Sequence, residues 1–313
     1  MQPGGLRLSP ANAAEPIGRL VEDYLTACSA RGLSPKTLKD AYRFPLERVF
    51  LPFCQGEGIS RPDQVTQRAL DRLSVALLAA GPSGRPLSRF SVNSYLNSIN
   101  LFLGWAGREG EMAKVRAQQP RLPRRVVQVL SREEIAQLED AAAAERDKLI
   151  VRVLADTGLR ASELLGLRVR DVIQRDRQHL LHVTGKGSKE RLVPLPPADY
   201  RRLVRLARGR DQDERIIRTL RRQASGDFEP LSQAGLHQML QNLGELARIR
   251  RSVHPHLLRH SFATWTLSRG MNPIQLAQIL GHSSLRMIQA VYSHLSTGDA
   301  YDALMRVMQA DSN

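Results

Sequence analysis

The chain has 313 residues, 42% of them hydrophobic, enough for two ordinary domains with cores of their own rather than a disordered polymer. Lys and Arg total 46 against 31 Asp and Glu, a net charge of +15, so the surface carries a positive field and nucleic acid is the first partner to expect. No run approaches the roughly 20 apolar residues of a membrane span, the N-terminus lacks the basic-then-apolar order of a signal peptide, and Cys28 and Cys54 make neither a disulfide framework nor a metal knuckle. These features point to a cytosolic protein with two buried free thiols.

Residues 1–127 hold 18 basic and 10 acidic side chains, and residues 128–313 hold 28 and 21. Both halves are basic, which suits a chain gripping a polyanion with two domains better than one with a basic tail. After an N-terminal tail, 1–14, the apolar positions Ile17, Leu20, Val21, Tyr24 and Leu25 predict a first helix ending before Gly32. Ser34 and Pro35 have the N-cap and first-turn chemistry of a second. Pro45 and Pro52 fall inside it, so that helix is expected to be short, kinked or split. Helical patterns over 63–81 and 88–110 complete a four-helix domain, 15–115.

Residues 116–130, "RAQQPRLPRRVVQVL", contain two prolines, four arginines and no acid. They read as an extended basic linker crossing a phosphate backbone, or else a merely solvated loop. A second domain, 131–313, opens with the capping-box pair Ser131 and Glu134. Its helices stop at Gly158 and resume at "RASELLGLR". "DVIQRDRQHLLHVTGKGSKERLVPLP" then alternates with period two around a Gly-Lys-Gly turn, the pattern of a small antiparallel sheet. A very basic stretch at 208–222 and further helical segments up to Met308 follow. The fold class is therefore mainly α, an all-α domain followed by an α+β domain.

The chemistry concentrates late in the chain. In "HPHLLRHSFATW" a helix would place His256, Arg259 and His260 on one face. "TGLRASELLGL" sets Arg160 at a helix start with Glu163 one turn later. Lys186 sits on the Gly-Lys-Gly turn, His282 follows a glycine where a helix ends, and Tyr292 lies ten residues on. Taken singly each has an ordinary explanation: a core arginine, a salt-bridge partner, a capping histidine, a solvated lysine, a half-buried tyrosine.

His256 and His260 have the spacing of a helical zinc pair. However, Leu257 stands where a zinc-site glutamate would, and Arg259 lies between them, opposing a second cation. A phosphodiester accounts for the set better. Two arginines can fork onto the non-bridging oxygens as charge develops, histidines can add hydrogen bonds, lysine can protonate a leaving sugar oxygen, and tyrosine can attack phosphorus. With that much fixed positive charge, neither Mg²⁺ nor another cofactor is called for.

In this order, "TGLRASELLGL", "GKGSKERLVPLP", "HPHLLRHSFAT", "LGHSS" and "AVYSHL" resemble the tyrosine recombinase, or phage integrase, family, closest to its Xer-like members, over roughly residues 15–308. The resemblance implies that Arg160 and Arg259 clamp the scissile phosphate and that Lys186 is the general acid toward the 5′-oxygen. His256 and His282 would assist. Tyr292 would form a 3′-phosphotyrosyl link that a partner strand's hydroxyl reverses. Glu163 matches the family's supporting acid, and His260 stands behind the catalytic group.

It also implies a helical core-binding domain and a catalytic domain around duplex DNA, with four protomers exchanging strands on two sites through a Holliday junction. A second recombinase or accessory protein is a possible further partner, and a nucleoid-associated cytoplasmic location is expected. The segment 298–308 would be a helix docking on a neighbouring subunit, or else packing on its own domain. Lys189 competes with Lys186 for the acid role, and Tyr301 is a second C-terminal tyrosine. The rival readings are a type IB topoisomerase-like nicking and resealing activity and a catalytically silent DNA-binding protein.

Overall fold

The computed structural model describes residues 16–82, 84–123, 128–185, 189–222 and 226–281, and the chain divides into two compact units, Met1–Arg124 and Arg125–Asn313. It is mostly helical, with one small three-stranded antiparallel sheet.

The first unit is all helical. Helix α1 (Pro16–Ala30) buries Ile17, Leu20, Val21, Tyr24 and Leu25, the stripe read from the sequence. Ser34 caps α2 (Pro35–Thr37), its Oγ accepting the Thr37 N–H at 3.2 Å. Contrary to two of the outcomes expected from Pro45 and Pro52, the helix is neither short nor split. The chain stays helical from residue 35 to α3 (Leu51–Gly56), widening into π-helical turns over Leu38–Arg43 and Leu46–Phe50.

A proline lacks the N–H that would bond four residues back. Here neighbouring amides bond five residues back instead, Phe44 to Lys39 and Leu51 to Leu46. The Ala41 carbonyl, which Pro45 cannot serve, accepts the Ser98 hydroxyl at 2.6 Å. Ser98 belongs to α5 (Arg89–Arg108), which with α4 (Gln67–Ala79) closes the unit around Tyr24, Phe50, Leu70, Leu96, Ile99 and Phe102. Both cysteines are buried and free in this core, and burial pushes the Cys54 thiol up to about 12. The start of the expected linker is pinned to the helices: Ala117 exchanges hydrogen bonds with Asn100, and the Arg116 N–H reaches Gln67.

The second unit is built around α7 (Glu145–Thr157), whose residues Leu149, Ile150, Val151, Val153, Leu154 and Ala155 are all without exposure. Apolar residues at consecutive positions widen the buried face beyond a single stripe, while Arg152 and Asp156 pair with each other on the remaining side. Helix α6 (Arg132–Ala141) carries the predicted capping box, Ser131 with Glu134. Gly158 ends α7 in the left-handed region at φ 63°, and α8 (Ala161–Gly166) follows at once.

Strands β1 (Val172–Arg175), β2 (Gln178–Thr184) and β3 (Glu190–Pro194) pair in that order, with Leu181 opposite both Val172 and Val193, and Val183 opposite Arg191. Helix α9 (Pro197–Ala207) leads into the basic stretch, which forms a loop rather than a helix. Then come α10 (Gln233–Leu246), α11 (Pro255–Ser268) and α12 (Pro273–Leu280). Phe262, Leu267, Leu276 and Leu280 make a small separate cluster that packs α12 on α11. No described helix is long and apolar enough to cross a membrane.

Candidate active site

The site assembles from the ends of elements, and Glu163 is its centre. Arg160 is the N-cap of α8, and its backbone N–H donates to Glu163 Oε2 at 2.8 Å while its Nη1 donates to Oε1 at 2.7 Å. Across the sheet Arg191 forks onto the same carboxylate, Nη1 to Oε1 and Nη2 to Oε2, both at 2.9 Å. Glu163 is only 4% exposed. Burial by itself would raise its pKa, but the hydrogen bonds and charge of Arg191 and those of Arg160 overcome it and hold the carboxyl down at about 2.

Arg259 comes from α11 and is 2% exposed. Its Nη1 donates to the Gly158 carbonyl at 2.5 Å and its Nη2 to the Leu280 carbonyl at 2.7 Å. Burial first, then the charge of Arg160, lowers its pKa to about 9, still cationic at neutral pH. Arg160 keeps 29% of its side chain exposed, so this is the guanidinium the site presents to solvent.

Pro255 opens α11 and His254 caps it, Nδ1 accepting the Leu257 N–H at 3.2 Å. One turn before Arg259, His256 stands exposed. Its pKa is lowered by partial desolvation, then by the charges of Arg259 and Arg160. The His260 pKa is lowered by burial and by His256 and Arg259, and its buried Nδ1 has no hydrogen-bond partner. Both rings therefore favour the neutral imidazole, able to accept a proton.

Five of the residues singled out from the sequence, Arg160, Glu163, His256, Arg259 and His260, thus converge. Lys186, His282 and Tyr292 lie outside the described residues, as do Tyr301 and the segment 298–308. Lys189 is exposed, and its carbonyl accepts the Gly185 N–H at 2.7 Å. Among the described residues no group of three His, Cys, Asp or Glu is placed to hold a metal.

Sequence reasoning missed Arg191. The available signal was its period-two register with Val193, which makes it a charge on the inward face of β3 and so one that needs a partner.

A partly exposed arginine and a second, less exposed one share a single buried carboxylate, with the buried Arg259 and the histidines of α11 beside them, so the second unit gathers an excess of fixed positive charge at this point. The phage integrase family model matches residues 128–298, which contain it. The chain is 31% identical over 296 residues to "Tyrosine recombinase XerD" of Bifidobacterium longum, covering 89% of this chain and 93% of that protein. It is 30% identical over 278 residues to "Tyrosine recombinase XerA" of Thermococcus onnurineus, covering 88% and 90%. The chain therefore belongs to the phage integrase family, as a tyrosine recombinase. Its fold is shared with the XerH site-specific recombinase bound to difH substrate, at a TM-score of 0.63 and 21% identity over 91% of this chain and 83% of that one.

Proposed function

We propose that the chain performs site-specific recombination of duplex DNA, cutting and rejoining strands through a 3′-phosphotyrosyl intermediate. The observation that carries this reading is the Glu163 cluster: three guanidinium groups against one carboxylate leave an excess of fixed positive charge. A phosphate reaching Arg160 would meet that charge already in place, so little reorganisation is needed as the pentacoordinate phosphorus gathers negative charge.

Tyr292 would attack the scissile phosphorus, forming the Oη–P bond as the P–O5′ bond breaks. Lys186 would protonate the departing 5′-oxygen, and a neutral imidazole, His256 for one, would take the phenolic proton. Arg160 and Arg259 would stabilise the non-bridging oxygens, His282 would add a hydrogen bond, and Glu163 and His260 would hold these groups in place. One phosphoester replaces another, so ATP is not required, and the arginines supply the charge a metal would otherwise bring. Attack by the 5′-hydroxyl of a partner strand would reverse the step, and two such exchanges pass through a Holliday junction.

The helical unit would be the core-binding domain, the second unit the catalytic domain, and residues 116–130 the basic linker between them. Four copies would act on two DNA sites in the nucleoid. The relatives named recombinases and the solved XerH complex with its difH substrate support this reading.

The test is a covalent trap. The protein is mixed with nicked duplex fragments of its host genome, so that cleavage releases a short piece and cannot reverse. A 3′-phosphate adduct on Tyr292, absent in Tyr292→Phe, is the expected outcome. An adduct on Tyr301 would move the nucleophile, and tight binding without any adduct would refute the strand-transfer reading.

A further inference from the structure

We propose that Arg191 is a positioning residue of the cleavage reaction, holding strand β3, the start of α8 and the last carbonyls of α12 in one frame. The inference rests on the recombinase reading above. Helix α12 ends in three successive carbonyls, and each receives a different arginine. Arg191 Nε donates to Ile279 at 2.7 Å, Arg259 Nη2 to Leu280 at 2.7 Å, and Arg160 Nη2 to Gly281 at 3.2 Å. Three cations thus meet the negative end of one helix, where the unpaired carbonyls concentrate.

All three guanidinium groups bridge two partners, but Arg191 is the member that ties the end of α12 to both oxygens of Glu163, Nε toward α12 and the Nη fork toward the carboxylate. A lysine has no geometry for this. The backbone is shaped around that guanidinium. Gly281 adopts φ 64°, and a Cβ there would lie 2.9 Å from Arg191 Nη1 and 3.0 Å from Cζ. A Cβ on Gly185 would come within 3.4 Å of Nη1 and 3.3 Å of Glu163 Oε1. Along the chain, Gly185 immediately precedes Lys186 and Gly281 immediately precedes His282. Both segments that carry the remaining proposed catalytic groups therefore leave from residues packed on Arg191.

Arg191 also decides what Arg160 does. Because the fork occupies both Glu163 oxygens, Arg160 shares only one of them through its side chain and stays partly exposed. Without Arg191, the buried carboxylate would have Arg160 as its direct ion-pair partner and would draw it inward.

The experiment uses the full chain and the pool of nicked genomic duplexes, with the Tyr292 adduct counted per DNA-bound molecule so that any unfolded fraction drops out. Arg191→Gln is expected to bind the pool within about threefold of the unmodified chain and to form the adduct about 100-fold more slowly, the scale of a small misplacement of reacting groups. Arg191→Lys, which keeps the charge but not the fork, is expected to fall in between.

A pH profile gives a readout that a purely structural role would not move. The groups facing Glu163 are Arg160 at the start of α8, Arg191 on β3 and the charge of Arg259 on α11. Removing Arg191 lets burial raise the carboxyl, so the variant's rate should begin to fall at a higher pH than in the unmodified chain, where only protonation of the imidazole base limits the acid side. An unchanged adduct rate per bound molecule, or binding and cleavage lost in equal proportion with an unshifted profile, would overturn the proposal. If the unmodified chain forms no Tyr292 adduct, the recombinase reading fails and takes this one with it. If the unmodified chain reacts and Arg191→Gln reacts equally well, only this one fails.

Discussion

Arg160 and Arg259 look alike in the sequence, yet their surroundings assign them different costs of removal. Arg259→Ala would leave the Gly158 and Leu280 carbonyls without their guanidinium donor inside the protein, and each unsatisfied buried group costs about 1–3 kcal/mol. Arg160 is partly exposed and its Glu163 partner keeps the Arg191 fork, so Arg160→Ala should fold normally. Both variants should lose phosphotyrosyl formation by more than about 100-fold, the scale of losing one preorganised charge-stabilising donor. Adduct assays run beside thermal melts separate the two: only Arg259→Ala should also melt early, and equal melting temperatures would contradict the geometry described here.

Asp199, at the start of α9, is a second residue-scale case. It is 3% exposed, and its Oδ2 has no hydrogen-bond partner. Burial, then the nearby Asp156 charge, raises its pKa to about 6 against the opposing pull of Arg152 and Arg202. The folded protein therefore holds a proton that the unfolded chain releases. The stability this contributes is complete below about pH 4 and is lost as pH rises through about 6. Asp199→Asn should stabilise the fold at pH 8 by at most about 3 kcal/mol for a two-unit shift, read as a higher melting temperature, and change little at pH 4. Melting curves at the two pH values check the sign.

At the scale of elements, what could be read early was whatever lies within one turn of chain. Ser34 with Pro35 and Ser131 with Glu134 announce helix starts because a cap and its target amide are three residues apart. Gly158 announces a helix end because the left-handed conformation it adopts is open to glycine at no steric cost. The continuity of the helix over 35–56 is hidden from the local sequence for the complementary reason. Pro45 does remove a hydrogen bond, but the group that satisfies the Ala41 carbonyl is Ser98, 57 residues away on another helix. Ser98→Ala should accordingly destabilise the helical unit by about 1 kcal/mol, the net worth of one such bond, read as an earlier denaturant midpoint. No change would mean that the π-helical turns satisfy Ala41 unaided. Arg191 escaped notice in the same way, since nothing within the stretch "KERLVP" reveals that Glu163, 28 residues earlier, is its partner.

For the whole molecule the net charge of +15 is spread over both halves, so affinity for DNA should come from many phosphate contacts and weaken steeply with salt. Adduct formation on prebound DNA should vary much less over the same salt range, and it should persist in EDTA without ATP. Binding and trapping titrations against salt and chelator test this, and a strict divalent requirement would sink a mechanism built on arginine charge. The class of partner, the mainly helical fold with its small sheet and the family were all determined by the sequence. Net charge, hydrophobic period and the types of residue within a short motif are properties of the chain whatever its shape. Which charges are buried, which guanidinium remains exposed, and that three arginines from α8, β3 and α11 close on the end of one short helix were decided only by tertiary structure. Those facts depend on desolvation and on contacts between residues 21, 88 and 121 positions apart, and no local pattern encodes either.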